Sequence, residues 1–353
     1  MAYINFDPQD YFNTKLYTGT GATQAITGVG FQPDMVWIKN RSATTNHQIN
    51  DAVRGVNKQL APNNTNAEET NTGELTAFGS DGFTVGSGGT LNGNGDGIVS
   101  WNWKANGSGV SNTDGSIAST VSANTTSGFS IVSYTGNATD GATVGHGLGA
   151  SPACIIFKNR IDSSSAKWAV YHKGAFVSQT NPNILYLDAT EAEADDTNIL
   201  GGSSVTLNSI VFSLGDYNGS NGDTDGIIAY CFAEKKGFSK FGSYTGNGNA
   251  DGTFIYTGFK PAFFMWKASS TTGGWYTIDN KRSDYNPADK LLGPNDSAAE
   301  SAFGYNYDHD FLSNGIKTRY GSFDMNQSGV TYIYMAFAEE PLVGTNNIPA
   351  TAR

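Results

Sequence analysis

Gly30-Phe31-Gln32-Pro33-Asp34-Met35-Val36-Trp37-Ile38-Lys39 is a turn, a proline, four apolar residues and a lysine. The same ten-residue pattern returns as Gly149-Ala150-Ser151-Pro152-Ala153-Cys154-Ile155-Ile156-Phe157-Lys158. It returns again as Gly258-Phe259-Lys260-Pro261-Ala262-Phe263-Phe264-Met265-Trp266-Lys267. Self-similarity at a fixed period has to be settled before any local reading, because it decides the architecture. Each proline lies where a chain leaves a turn and enters a strand, a position at which its missing N–H costs little.

The register extends in both directions. Upstream of each block stands a Tyr-Thr-Gly triplet, at Tyr17, Tyr134 and Tyr244. Downstream come His47, Trp168 and Trp275, then Asp51, His172 and Asp279 four residues later. Leu60, Leu185 and Leu292 follow, each eight residues before a glutamate, Glu68, Glu193 or Glu300. Each copy closes on an alternating strand: Val99, Trp101, Trp103; Ile228, Tyr230, Phe232; Ile333, Met335, Phe337. Gaps between the copies fall in Gly/Ser/Asn loops, where insertions are tolerated.

Within a copy the periodicity is two, as in Phe129-Ser-Ile131-Val-Ser-Tyr134, and Asn-Gly and Asp-Gly pairs mark hairpin turns. The fold class expected is all-β: three tandem sandwich or jelly-roll-like (lectin-like) modules, each large enough to fold alone. One or two helical turns are expected at 65–70, 190–196 and 297–302. The boundaries are an N-terminal anchor segment 1–12, module one 13–104, a Gly/Ser/Asn/Thr linker 105–127, extended or flexible, module two 128–236, module three 237–341 and a tail 342–353.

Composition narrows the function. Only 15% of the 353 residues are charged and the net charge is −11, which disfavours nucleic acid as a partner. No apolar run is long enough to span a bilayer, so membrane insertion is not expected. The opening residues show neither the basic region nor the apolar stretch of a secretion signal, so export by the general pathway is not expected, and release by lysis is compatible with this. The four histidines, His47, His146, His172 and His309, are scattered with respect to the repeat, and no nucleophile elbow, metalloprotease pair or phosphate loop accompanies them. No catalytic residue, metal ligand set or cofactor is therefore expected.

Weaker signals remain. Asp223 and Asp225, in a Gly/Asn-rich loop, have the spacing of a weak cation site. Cys154 and Cys231 read as buried thiols, with a disulfide open if their strands adjoin. Trp168 and Trp275, near loop edges, are the candidate contacts for a ligand or partner. The triplicated lysines and glutamates suggest structural pairs, with each lysine near an acid or a carbonyl of its own module. Tyr3, Ile4, Phe6, Tyr11 and Phe12 suggest an anchor that docks on another subunit or protein.

Residues 30–41, Asp51-Ala-Val-Arg-Gly55, Asp81-Gly-Phe-Thr-Val85, Trp101-Asn-Trp-Lys104, the Tyr-Thr-Gly and Phe-Ala-Glu triplets and the closing residues 343–353 carry a resemblance. Over nearly its whole length the chain resembles a repeat family of virion structural, tail-fibre-like proteins of marine bacteriophages, cyanophages among them. Module two departs from the pattern at His172 and Ala150. The resemblance implies a non-enzymatic protein on the particle surface, in a tail fibre, an appendage or head decoration. Its implied partners are other virion proteins and further copies of itself. A host surface glycan is the partner in the alternative reading, a carbohydrate-binding adhesion protein.

Overall fold

The computed structural model describes residues 4–162, 166–175, 183–195, 197–201, 205–300, 307–321, 324–344 and 349–351. The chain is nearly all β, in antiparallel sheets arranged as sandwiches. Each module places a longer inner sheet against a shorter outer one. In module one the inner order is Phe12–Thr18, Gly97–Trp103, Met35–Asn40, Gln48–Asp51. Its outer sheet is Gln24–Thr27, Gly82–Val85, Leu75–Gly79. Module three repeats this with Ser239–Thr245, Thr331–Pro341, Phe259–Ala268, Trp275–Asp279 inside and Phe254–Tyr256, Gly315–Thr318, His309–Leu312 outside. Module two has the same inner four, Phe129–Thr135, Gly226–Phe232, Cys154–Asn159 and Ala169–His172, with strands added at both edges. Pro33 and Pro152 stand just before the third of these strands, and Pro261 lies at the matching bulge of a longer one.

The repeated tyrosine has a physical role. Its hydroxyl donates to a main-chain carbonyl at the end of the outer layer: Tyr17 to Leu91 (2.7 Å), Tyr134 to Ser220 (2.6 Å), Tyr244 to Met325 (2.7 Å). The next residue along in each case is a buried asparagine, Asn92, Asn221 or Asn326. Its Oδ1 accepts the N–H of the residue after the triplet, Thr20, Asn137 or Asn247, at 2.8–3.0 Å. A turn whose polar groups are closed by side chains can lie under the sheet without water.

The modules do not have separate cores only. One face of each inner sheet meets its own outer sheet, but the other faces of all three meet one another in a single apolar cluster. Trp103, Phe232 and Phe337, equivalent in the repeat, form a closed triangle there with ring centroids 5.6–6.4 Å apart. The inner strands are thus buried on both faces: Met35–Asn40, Cys154–Asn159 and Phe259–Ala268 are buried at every residue. The modules are therefore lobes of one ring, which corrects the expectation that each folds alone. Isolating one would expose half of every inner sheet.

Three other expectations are sharpened or corrected. Of the two readings of residues 105–127 the extended one holds, and Val110–Asn112 and Ser119–Asn124 add strands to the inner sheet of module two. Asp34 fastens the start of this connector, accepting the N–H of Ala105 (2.7 Å) and of Gly107 (3.1 Å). The described residues at 65–70 and 190–195 carry no helical turn, whereas at 297–302 a 3₁₀ turn begins at Glu300, with 301–302 outside the described residues. The short helices fall elsewhere, at Gly89–Asn92, Thr197–Leu200 and Asn218–Asn221. The anchor residues pack on their own chain: Phe6 and Tyr11 make edge contacts with Phe238, Phe12 stacks on Phe337, and Ile4 is buried. They reach from module one to module three, with Phe12 also against Trp103; Tyr3 lies outside the described residues. The described part of the tail pairs with itself, Val343 against Pro349.

Candidate functional site: the three corners of the ring

The side chains singled out by the repeat converge where one lobe meets the next. After Leu60, Leu185 and Leu292, which all pair with the inner sheet in one register, the chain leaves its lobe as an arm and crosses to the following one. The arm of lobe one reaches lobe two, that of lobe two reaches lobe three, and that of lobe three returns to lobe one. The crossing is fixed by main chain: the N–H of Glu68, Glu193 and Glu300 donates to the carbonyl of Arg160, Ser269 and Arg41, at 2.8, 2.8 and 3.0 Å.

The repeated lysine holds the arm. Lys158 Nζ donates to Thr65 O (2.8 Å), Lys267 Nζ to Thr190 O (3.2 Å) and Lys39 Nζ to Ser297 O (3.1 Å), three positions equivalent in the repeat. The remaining two N–H groups are shared among carbonyls of the lysine's own lobe, Asn40, Ala43 and Thr45 for Lys39. These ammonium groups sit in cages of carbonyl dipoles, the carbonyl form of the structural role expected of them, and not in ion pairs with the repeated glutamates. Burial pulls all three pKa values down to about 8.

The glutamates pair with arginines instead. Glu68 takes Arg54 of its own lobe at 3.1 Å and Arg160 of the next at 2.9 Å. Arg54 also grips Asp51, whose Oδ2 accepts the Tyr230 hydroxyl at 2.8 Å. Glu300 repeats this with Arg282 (3.1 Å) and Arg41, and Asp279 accepts the Trp101 indole N–H at 3.0 Å. The guanidinium groups beside Glu68 hold its carboxyl below the ordinary range although burial alone would raise it. At the third corner Asp, Arg, Arg and the polar aromatic are replaced together, by His172, Ala175, Ser269 and Met335. There His172 Nε2 bonds Tyr334 O at 3.0 Å, and burial raises the Glu193 carboxyl.

Trp168 and Trp275 belong to these corners too, which corrects their placement at exposed edges. Both are buried, and their indole N–H groups donate to the neighbouring arm: Trp168 to Ala61 O (3.0 Å), Trp275 to Tyr186 O (2.8 Å). His47, at the same repeat position, is buried beside Gly293 and accepts the Trp37 indole N–H at 3.0 Å. Asp225 is spent on the Asn159 amide (2.7 Å), as Asp96 is on Asn40, while Asp223 is exposed; the two acids do not form a common cage. Among the described residues no three His, Cys, Asp or Glu side chains are placed to share a metal ion. Cys154 and Cys231 are free thiols on adjoining strands that face opposite sides of the sheet, so they cannot bond. The asparagine and arginine partners went unnoticed in the sequence, though Asn92, Asn221 and Asn326 carried a usable signal: each lies a fixed step before the closing strand.

The fold and its corners define a class, an intrachain pseudo-trimer of β-sandwich lobes locked by exchanged arms. The chain belongs to the family described as a domain of unknown function, DUF7483, whose model matches residues 7–341. That single family unit spans all three lobes, as a shared core requires. Comparison with curated proteins and with solved structures found no match.

Proposed function

We propose that this chain is a non-enzymatic structural protein of a bacteriophage particle, carried on the particle surface in a tail fibre, an appendage or a head decoration, and acting by protein–protein assembly. The observation that carries the reading is where the reactive side chains are spent. All four histidines are buried, and the repeated lysines, arginines and carboxylates serve the joints between lobes. Such an arrangement suits a rigid block that works through its outside. The resemblance to marine phage virion proteins gives the block its setting, and the acidic balance suits an exposed surface that resists unspecific association. A chain with three-fold pseudo-symmetry can occupy a three-fold position of a larger assembly, with other virion proteins and further copies attached through its outer sheets. The test is direct. An antibody against the recombinant chain should decorate intact particles of the phage that encodes it in negative-stain images. Particles that contain the chain by mass spectrometry yet bind no antibody would overturn the surface position, and particles without the chain would overturn the whole reading.

A further inference from the structure

We propose that the outer sheet of lobe three is a binding platform for a neutral glycan, built on Phe254 and Tyr256. These two rings stand on one face of an edge strand, 43% and 53% exposed, while Ile255 between them points into the lobe. Their spacing is about 7 Å, two residues of extended chain. The equivalent strands show that the fold does not need them. Ile26 and Val144 occupy the place of Ile255, each facing the partner strand in the same way, at Phe83, Phe212 and Ile316. Their outward neighbours are Ala25 and Thr27 in lobe one, Thr143 and Gly145 in lobe two. In lobe two the connector also covers this strand, with Ile117 bridging Val144.

The surroundings of the two rings favour a sugar. Phe254 pairs across the sheet with Lys317 and Tyr256 with Gly315, and the third strand adds Asp310 and Leu312 to the same face. A side chain at Gly315 would meet the Phe254 ring at 2.9 Å, so the ring leans over the bare backbone there. Flat apolar rings bordered by hydrogen-bonding groups match the C–H face and hydroxyl rim of a pyranose. The charges around them cancel in pairs, Lys317 with Asp251 at 2.7 Å and Arg319 with Asp310, which favours an uncharged occupant over an anionic one. Two rings make a footprint for two or three sugar units, far below the about 800 Å² per side of a stable protein interface. The inference does not rest on the virion reading, and its failure would leave particle labelling unchanged.

The experiment uses the full chain and an array of neutral oligosaccharides covering α- and β-linked glucans, mannans and galactans, followed by titration of the best binder with proton NMR. At least one should bind saturably at about 1 mM or below, with the Phe254 and Tyr256 ring signals shifting. The double variant Phe254→Ala, Tyr256→Thr imitates lobe one, so it should melt like the parent and bind about tenfold more weakly or less. Three results would each overturn the proposal: no neutral glycan bound, binding unchanged in the variant, or a parent that self-associates in the ultracentrifuge through this face while the variant is monomeric.

Discussion

Two corners of the ring are ionic and the third is not, although all three are built on the same arm, the same lysine cage and the same main-chain bond. At the corners closed by Glu68 and Glu300, a buried aspartate, two arginines and a polar aromatic form one connected network. At the corner closed by Glu193 all four are exchanged at once, and His172, Met265, Trp275 and Met335 border a void of about 10 Å³, no larger than the one beside Ile49 and Tyr230. Because the positions change together, they act as a unit. A lone aspartate there, without the arginine that grips it at the other two corners, would be a buried charge without a partner, which is costly. The lesson is that backbone exchange and the lysine cage suffice to close a corner, and the ionic network is an addition to them.

The largest effect that would break this comparison is at Arg54. Arg54→Met strands Asp51 and half of Glu68, and should lower the unfolding free energy by about 3–5 kcal/mol in urea titration. Arg282→Met should do the same; a loss under about 1 kcal/mol at both would show that the networks are idle. Lys267→Met comes next. It leaves the carbonyls of Thr190, Ala268 and Gly273 without this donor and should cost about 1–3 kcal/mol. Tyr230→Phe, which removes one hydroxyl from the network of the first corner, should cost about 1 kcal/mol.

Acid titration sharpens the difference between corners. The Glu68 pKa is lowered on folding, so its contribution is present above the ordinary 4.5 and is lost as pH falls through the folded value. The Glu193 pKa is raised, so its charge opposes folding as pH rises past 4.5. Glu68→Gln should therefore destabilise at neutral pH and do little in acid, whereas Glu193→Gln should be neutral or mildly stabilising at neutral pH. Equal effects of the two substitutions in thermal melts would sink the distinction. The base limb tests the lysine cages. With three folded lysine pKa values near 8 against an ordinary 10.5, stability should rise between pH 8 and the onset of tyrosine titration near 10. A salt-bridged lysine would give the opposite slope.

The repeat register made the strands legible, together with the all-β class and the equivalence of the prolines, lysines and glutamates. The ring was not. A strand buried on both faces reads as an unbroken apolar run, as in Met35-Val-Trp-Ile, and such a run does not say whether the second face meets another sheet of its own lobe or another lobe. The tryptophans were misplaced for the same reason: Trp168 and Trp275 lie beside loops in sequence, but those loops are roofed by the arm of a neighbour. The structural reading of the lysines held in its carbonyl form, but the glutamates do not pair with them: Glu68 and Glu300 face arginines brought from elsewhere in the chain. The platform at Phe254 and Tyr256 carried a signal, two aromatics where the other copies have small residues, but it could be read only once the lobes were aligned strand by strand.

The return of the third arm to the first lobe has a kinetic side. The contact of Arg41 with Glu300 spans 259 residues, and Phe12 waits for Phe263 and Phe337 before its pocket exists. On a ribosome the first lobe emerges with one side of its inner sheet bare, and that side stays bare until almost the whole chain has been made. Loop closure over such a separation slows folding, and exposed strands and aromatics in the interval invite wrong partners. The low charge of the inner strands makes this worse, and the many glycine and asparagine turns between them keep each bare segment short. The last arm to be synthesised is thus the one that ends the vulnerable period, and truncation anywhere before residue 300 should send the product to aggregates rather than to a smaller folded protein.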